Sequence, residues 1–254
     1  MRHFLTLFSH ELRMLLIAPA TYVASVLFLL LMGLIYLLVL NEAGAREADL
    51  PPSVLFFQVF WIPVFFMVPL LTMRSIAEER RLGTLETLMT TPATAIQVVL
   101  SKFLGAYVFY LMLWGLTICF PFIVAYGLPG TADRAVVLEL APMLGGYLFV
   151  ALSGALYIAL GIFASSLTRS QLVAGMLSFS MLFIIIISGQ LLLRLPIQDY
   201  SWMTWLESPL EYIRTFKHLE DFSRGVIDSR PFVLYLSNAA LLLGITTLVV
   251  ESKA

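Results

Sequence analysis

The stretch WIPVFFMVPLLTMRSIAEERRLGTLETLMTTPATAIQVVL (residues 61–100) places a short charged insert between two apolar runs. The insert, residues 74–92, holds six charged side chains and ends in Pro92. The apolar runs extend far enough on either side to cross a bilayer, whose hydrocarbon core of about 30 Å needs roughly 20 helical residues. The insert is therefore predicted to lie outside the membrane, between two crossings.

The composition of the whole chain is typical of a membrane protein. Of its 254 residues, 60% are hydrophobic and 12% are charged, whereas soluble domains carry about 25% charged residues. So few charges cannot cover a surface that faces water. The net charge is −1 and no basic run occurs, which argues against nucleic acid as a partner.

Six apolar runs are long enough to cross a bilayer: residues 21–40, 54–73, 99–127, 141–164, 171–193 and 232–250. They predict an all-α, polytopic protein with one transmembrane domain over residues 1–254. Pro63 and Pro69 predict bends in the second run. Small residues in the fourth run, Ala151, Ala155 and Ala159 among them, favour close helix packing, either within the chain or against a second copy.

The distribution of Lys and Arg predicts the orientation. If the N-terminus is inside, the inner segments carry eight basic and five acidic residues, and the outer segments carry seven basic and eleven acidic residues. Basic residues favour the cytoplasmic side of a membrane. Both termini are therefore predicted to be cytoplasmic.

Residues 1–18 have the pattern of an amphipathic helix that lies on the membrane surface. One face would carry Phe4, Leu5, Phe8, Leu12, Leu15 and Leu16, and the opposite face would carry Thr6, Ser9, His10 and Arg13. A frayed tail is the alternative interpretation.

The longest outer connection, residues 194–231, predicts a helical hairpin that dips into the outer leaflet before the last crossing. Aromatic residues of the kind found here favour the membrane interface, and Gly225 predicts a turn. A small soluble cap is the alternative, although so short a segment forms a poor core. The residues that carry the pattern are Trp202, Trp205, Leu206, Leu210, Tyr212, Ile213 and Phe216.

Several kinds of chemistry are missing from the sequence. It contains no G-x-x-x-x-G-K-[ST] for ATP, no H-E-x-x-H and no G-x-S-x-G. The central parts of the predicted crossings contain no Asp or Glu, which ion-coupled transporters usually need. We therefore predict a protein without catalytic residues, cofactor or metal. The protein is either a passive channel or scaffold, or it takes its energy from another component.

The loop over residues 74–98 predicts a short amphipathic helix with an apolar face. Gly83 would be its N-cap, and Glu86 would occupy the third helical position near the positive helix end. The helix is either a connector that rests on the membrane or a knob that seats in a groove of a cytoplasmic partner. The apolar face consists of Leu82, Leu85, Leu88 and Met89.

The segment EERRLGTLETLMTTPATAIQVVLSKFLGAY (residues 78–107) resembles the first cytoplasmic loop of type-2 ABC transporter permeases. That family carries E-x-x-x-G-T-[IL]-[DE]-x-L in this loop, followed by a proline. Residues 73–88, 145–175 and 218–237 look most like the gliding-motility (GldF-type) permease, and the nitrous-oxide-reductase maturation permease has a similar loop. The pattern is met here by Glu79, Gly83, Thr84, Leu85, Glu86 and Leu88, with Pro92 after them.

The resemblance implies a membrane subunit of an ATP-driven, exporter-type transporter in the bacterial inner membrane. It implies a partner ABC ATPase, a second copy of the permease or a homologous permease, and, in a gliding-type system, an auxiliary membrane protein with a large outer domain. The insert would contain a coupling helix, and the 165–171 turn would form a second, smaller contact. The implied ATPase interface consists of Glu78, Glu79, Arg80, Arg81, Leu82, Gly83, Thr84, Leu85, Glu86, Leu88, Met89 and Arg169.

Overall fold

The computed structural model describes residues 2–45, 51–85, 94–127, 137–194, 215–226 and 228–253. Within these ranges all regular secondary structure is helical, which confirms the predicted all-α class. The helices, numbered in chain order, are α1 (Arg2–Ile17), α2 (Pro19–Ala45), α3 (Pro52–Gln58), α4 (Trp61–Thr72), α5 (Ala77–Leu82), α6 (Ala95–Leu116), α7 (Cys119–Gly127), α8 (Leu140–Leu167), α9 (Gln171–Arg194), α10 (Thr215–Ser223) and α11 (Ser229–Lys253).

Five helical segments in the described part of the chain are long and apolar enough to cross a membrane. They correspond to the first four predicted runs and to the last one. The remaining run, residues 171–193, falls on α9, whose described apolar part, Gln171–Ile187, is shorter. A sixth crossing therefore stays a prediction. The five segments are Thr21–Glu42, Trp61–Leu82, Ala95–Gly127, Leu140–Leu167 and Ser229–Lys253.

Two of the predicted runs are each built from two helices, and a proline explains both interruptions. The second run breaks between α3 and α4, because Pro63 has no N–H to donate to the Val59 carbonyl. The third run, predicted as one element over 99–127, breaks between α6 and α7, where Pro121 cannot donate to the Thr117 carbonyl. Each carbonyl accepts instead from the N–H three residues further on, at 3.2 and 3.1 Å.

Helix α8 forms the centre of the bundle and packs against α3, α4, α6, α9, α10 and α11. Glycines on its surface allow the close approach that the sequence predicts for the fourth run. A side chain added at Gly154 would collide with the Tyr110 ring of α6. One added at Gly161 would collide with the Thr72 side chain of α4. These contacts lie within the chain.

The helix α10 packs against the end of the bundle where α8 begins. The ring of Phe222 is fully buried and lies 6.1 Å from the ring of Phe149 in α8. Gly145 of α8 lies directly against the Phe222 carbonyl, where any side chain would collide. After α10 the chain turns at Gly225, whose φ is 80°, as the sequence predicts. The rest of the predicted hairpin, including Trp202, Trp205, Leu206, Leu210, Tyr212 and Ile213, lies outside the described residues.

A histidine connects α10 to the last helix. The Nδ1 atom of His218 lies 3.3 Å from the hydroxyl oxygen of Tyr235 in α11. Burial lowers the pKa of His218 below its ordinary value, and this effect exceeds the opposing attraction of Asp221 and Asp228. The imidazole is therefore neutral at pH 7, and this hydrogen bond does not depend on a positive charge.

Candidate functional site

The charged insert contains α5, and a side chain from α8 holds the first turn of this helix. The hydroxyl oxygen of Ser165 accepts hydrogen bonds from the backbone N–H groups of Ile76, at 3.1 Å, and Ala77, at 3.0 Å. A helix start leaves such N–H groups without partners inside the helix. The end of α8 therefore fixes where α5 begins.

An arginine also connects α5 to the end of α8. The Nη1 atom of Arg80 donates to the backbone carbonyl of Ser166 at 2.6 Å. Arg169, two residues beyond α8, is exposed and lies close enough for its charge to act on Arg80. The insert and the 165–171 turn, predicted as two contacts with a partner, are therefore neighbours on one surface.

A second set of charged groups lies at the exposed edge of this surface. Arg74 donates two hydrogen bonds, of 2.8 and 3.1 Å, to the carboxylate of Glu78. Arg81 approaches the same carboxylate at 3.9 Å, and Gln171 of α9 bonds to it as well. Exposed ion pairs of this kind contribute about 0–1 kcal/mol. These ion pairs therefore contribute little to the stability of the fold, and their main effect is on the charge pattern of this edge.

The structure corrects the prediction for Gly83. This residue has a φ of 73°, in the left-handed region, and its N–H donates to the Glu79 carbonyl at the end of α5. It therefore ends α5 and is not the N-cap of the next helix, because an N-cap residue has an extended backbone. Thr84 and Leu85 begin the next helical segment.

The break at Gly83 also splits the predicted apolar face. Leu82 is 62% exposed, whereas Leu85 is 2% exposed and belongs to the core. Arg81, Gly83 and Thr84 are exposed together with Leu82. The rest of the predicted apolar face, Leu88 and Met89, lies outside the described residues, as do Glu86 and Pro92.

A buried lysine joins three segments at this end of the bundle. Lys102 of α6 is 3% exposed, and its Nζ lies 2.7 Å from Glu11 Oε1 and 2.7 Å from Glu79 Oε1. A buried ammonium group needs such partners, because an unpaired buried charge costs several kcal/mol. One positive charge therefore connects α1, α5 and α6.

The contact with Lys102 determines which face of α1 is packed. Leu12 and Leu15 lie against the core, on the same side as Glu11. Leu5 and Leu16, predicted on the apolar face toward the membrane, are exposed and do not pack on the bundle. They lie to one side of the face that carries Glu11, Leu12 and Leu15. The position of α1 on a membrane surface stays a prediction.

Two buried polar contacts that organise this surface were not predicted from the sequence. Lys102 is visible in the sequence as a charge near one end of an apolar run, but its partners lie 91 and 23 residues away. Ser165 resembles the other serines of the chain. Within the described residues, no group of three or more His, Cys, Asp or Glu side chains could hold a metal ion.

Comparison with known proteins gives one family match. Residues 50–215, about two thirds of the chain, match the family described as ABC-2 family transporter protein. The matched region includes the insert, Lys102 and the 165–171 turn. No curated protein matches the chain.

Proposed function

The chain belongs to the ABC-2 family of transporter proteins, and on that premise we propose that it is the permease subunit of an ATP-driven exporter powered by a separate ATP-binding subunit. The sequence has no P-loop of its own. A partner must then hydrolyse the ATP, and a contact between the two subunits must carry the resulting motion into the membrane.

One observation carries this proposal, and it is the exposed leucine at the charged end of the bundle. Leu82 is 62% exposed, and exposed arginines, Arg81 and Arg169, belong to the same surface. A small apolar anchor with a polar rim suits a protein interface, where a few central side chains supply most of the binding energy. We call residues 81–84 the docking knob.

Motion of the docking knob has a direct route to the centre of the bundle. Ser165 holds the start of α5 and Arg80 binds the Ser166 carbonyl, so α5 and the end of α8 move together. Closure of the ATP-bound partner would push the knob, shift α8 and rearrange the helices around it.

The finer features of the proposal rest on the sequence resemblance and the charge bias. The complex contains two permease subunits, either two copies of this chain or this chain and a homologue. It lies in the bacterial inner membrane with both termini of this chain cytoplasmic. Three stretches similar to gliding-motility permeases favour that subfamily and an auxiliary membrane protein with a large outer domain.

The test is copurification of the full chain with its separately encoded ATP-binding subunit. Leu82→Asp places a charge at the centre of the contact, so we expect about tenfold weaker binding or more. Leu82→Met keeps the apolar surface and should bind like the wild type. Leu85 is unsuitable, because a charge at this buried position would disturb the fold.

Two outcomes count against the proposal. Equal binding by wild type and Leu82→Asp would refute the docking knob. Failure of the wild type to bind any ATP-binding subunit would favour a passive channel or scaffold. The melting temperature of Leu82→Asp, which should match that of the wild type, shows that the variant is folded.

A further inference from the structure

The amphipathic helix α1 has a fixed connection to the charged insert, although the two are far apart in the sequence. The connection is the ammonium group of Lys102, which lies 2.7 Å from a carboxylate oxygen of Glu11 in α1 and 2.7 Å from one of Glu79 in α5. Because Lys102 is almost fully buried, water cannot easily replace either partner. Displacing one carboxylate leaves the buried charge with a single partner.

Close packing holds α1 against α6 at the same place. A side chain at Gly105 of α6 would begin 3.1 Å from Glu11 Cβ and 3.6 Å from the backbone nitrogen of Leu12. The absence of a side chain at Gly105 lets the two helix backbones approach. Glu11 therefore has little freedom to follow Glu79 unless α1 and α6 move with it.

We propose that Lys102 is a positioning residue that makes α1 a part of the coupling unit. It holds α5 against α1 and α6, so the docking knob has a defined position before the ATP-binding subunit arrives. When that subunit moves the insert, α1 moves with it. This inference rests on the proposed function, because it assigns α1 and Lys102 a role in the same contact.

Two variants separate positioning from simple stabilisation. Lys102→Met removes the connection but leaves two carboxylates close together, and this variant is expected to be unstable. The triple variant Glu11→Gln, Glu79→Gln, Lys102→Met removes all three charges, and replacing a whole buried ionic group is often neutral for stability. The triple variant should therefore fold but lack the fixed connection.

The first measurement compares affinity with stability in the full chain, with the ATP-binding subunit as the ligand. For the triple variant we expect a melting temperature close to that of the wild type and about tenfold weaker binding. If Lys102 only stabilises the fold, the triple variant should bind as tightly as the wild type because its stability is restored. Glu220→Gln is the matched control, because it removes a carboxylate from an exposed ion pair with Arg224 on α10 and should leave binding unchanged.

The second measurement is the distance between spin labels at Ser9 in α1 and Arg74 in the insert, in a Cys119→Ser background. Both labelled positions are exposed. We expect one narrow distance in the wild type, with and without the bound ATP-binding subunit, and a broad distribution in the triple variant.

The inference is overturned if the triple variant keeps either the wild-type affinity or the narrow distance. It is also overturned if the distance between α1 and the insert changes in the wild type on binding. If the wild type binds no ATP-binding subunit, the proposed function and this inference fall together, whereas unchanged binding by the triple variant removes only the inference.

Discussion

Replacement of Ser165 by alanine tests the contact that fixes the charged insert on α8. The substitution removes the acceptor of two backbone N–H groups, those of Ile76 and Ala77. Both hydrogen bonds are buried, and a buried donor left without a partner costs about 1–3 kcal/mol. We allow for partial access of water at the end of the bundle, and we expect Ser165→Ala to lower the free energy of unfolding by about 2–4 kcal/mol.

Ser166 provides a matched control one residue along the same helix. Its side chain is equally buried, but its hydroxyl donates only to the Phe163 carbonyl within α8, at 2.7 Å. Losing such a bond back to the helix costs little, so we expect less than about 1 kcal/mol for Ser166→Ala.

The assay is thermal unfolding of the purified chain in detergent, followed by tryptophan fluorescence. For a chain of this size a loss of about 1 kcal/mol lowers the melting temperature by roughly 2–4 °C. Ser165→Ala should therefore melt roughly 5–15 °C below the wild type, and Ser166→Ala close to it. Equal melting temperatures for the two variants would refute the role assigned to Ser165.

Two further predictions concern the packing of α8 and the attachment of α10. Gly154→Ala forces the Tyr110 ring to move and should lower the free energy of unfolding by about 1–3 kcal/mol. Gly244→Ala meets no atom within 4 Å and should stabilise α11 by up to about 1 kcal/mol. Melting temperatures that fall equally in the two variants would contradict this. For His218, whose pKa is lowered in the folded chain, the unfolded chain takes up a proton first as the pH falls. Stability should then decrease as the pH falls below about 6.5 toward the lower folded pKa, and His218→Phe should remove that part of the pH dependence when melting temperatures are compared between about pH 5 and pH 7.5.

Apolar run length was enough to predict most of the fold. Each of the six predicted runs contains helix, and five of them meet the length and hydropathy expected of a crossing. The interruptions within a run were harder to predict, because the sequence stays apolar where one helix ends and the next begins. Pro63 signalled one of them, and Pro121 causes the other by the same loss of one backbone hydrogen bond. A proline in an apolar run does not always interrupt the helix, because Pro69 lies inside α4.

The site was predictable only as far as local sequence determines it. The insert and its charges could be found from charge and spacing, whereas the 165–171 turn was implied as a contact by the family resemblance. The role of Gly83 could not, because a glycine between two short helical patterns suits either the end of one helix or the start of the next. The partners of Lys102 depend on how α1, α5 and α6 pack, and no spacing rule identifies contacts between such distant residues.

Helix α8 touches the insert at one end, through Ser165, and α10 at the other, through Gly145. Its 28 residues correspond to roughly 42 Å at about 1.5 Å per residue. A rod of that length that tilts by about 5° around its midpoint carries each tip sideways by about 2 Å, in opposite directions. A small swing imposed at the Ser165 end of α8 is therefore accompanied by an opposite displacement of similar size at the Gly145 end.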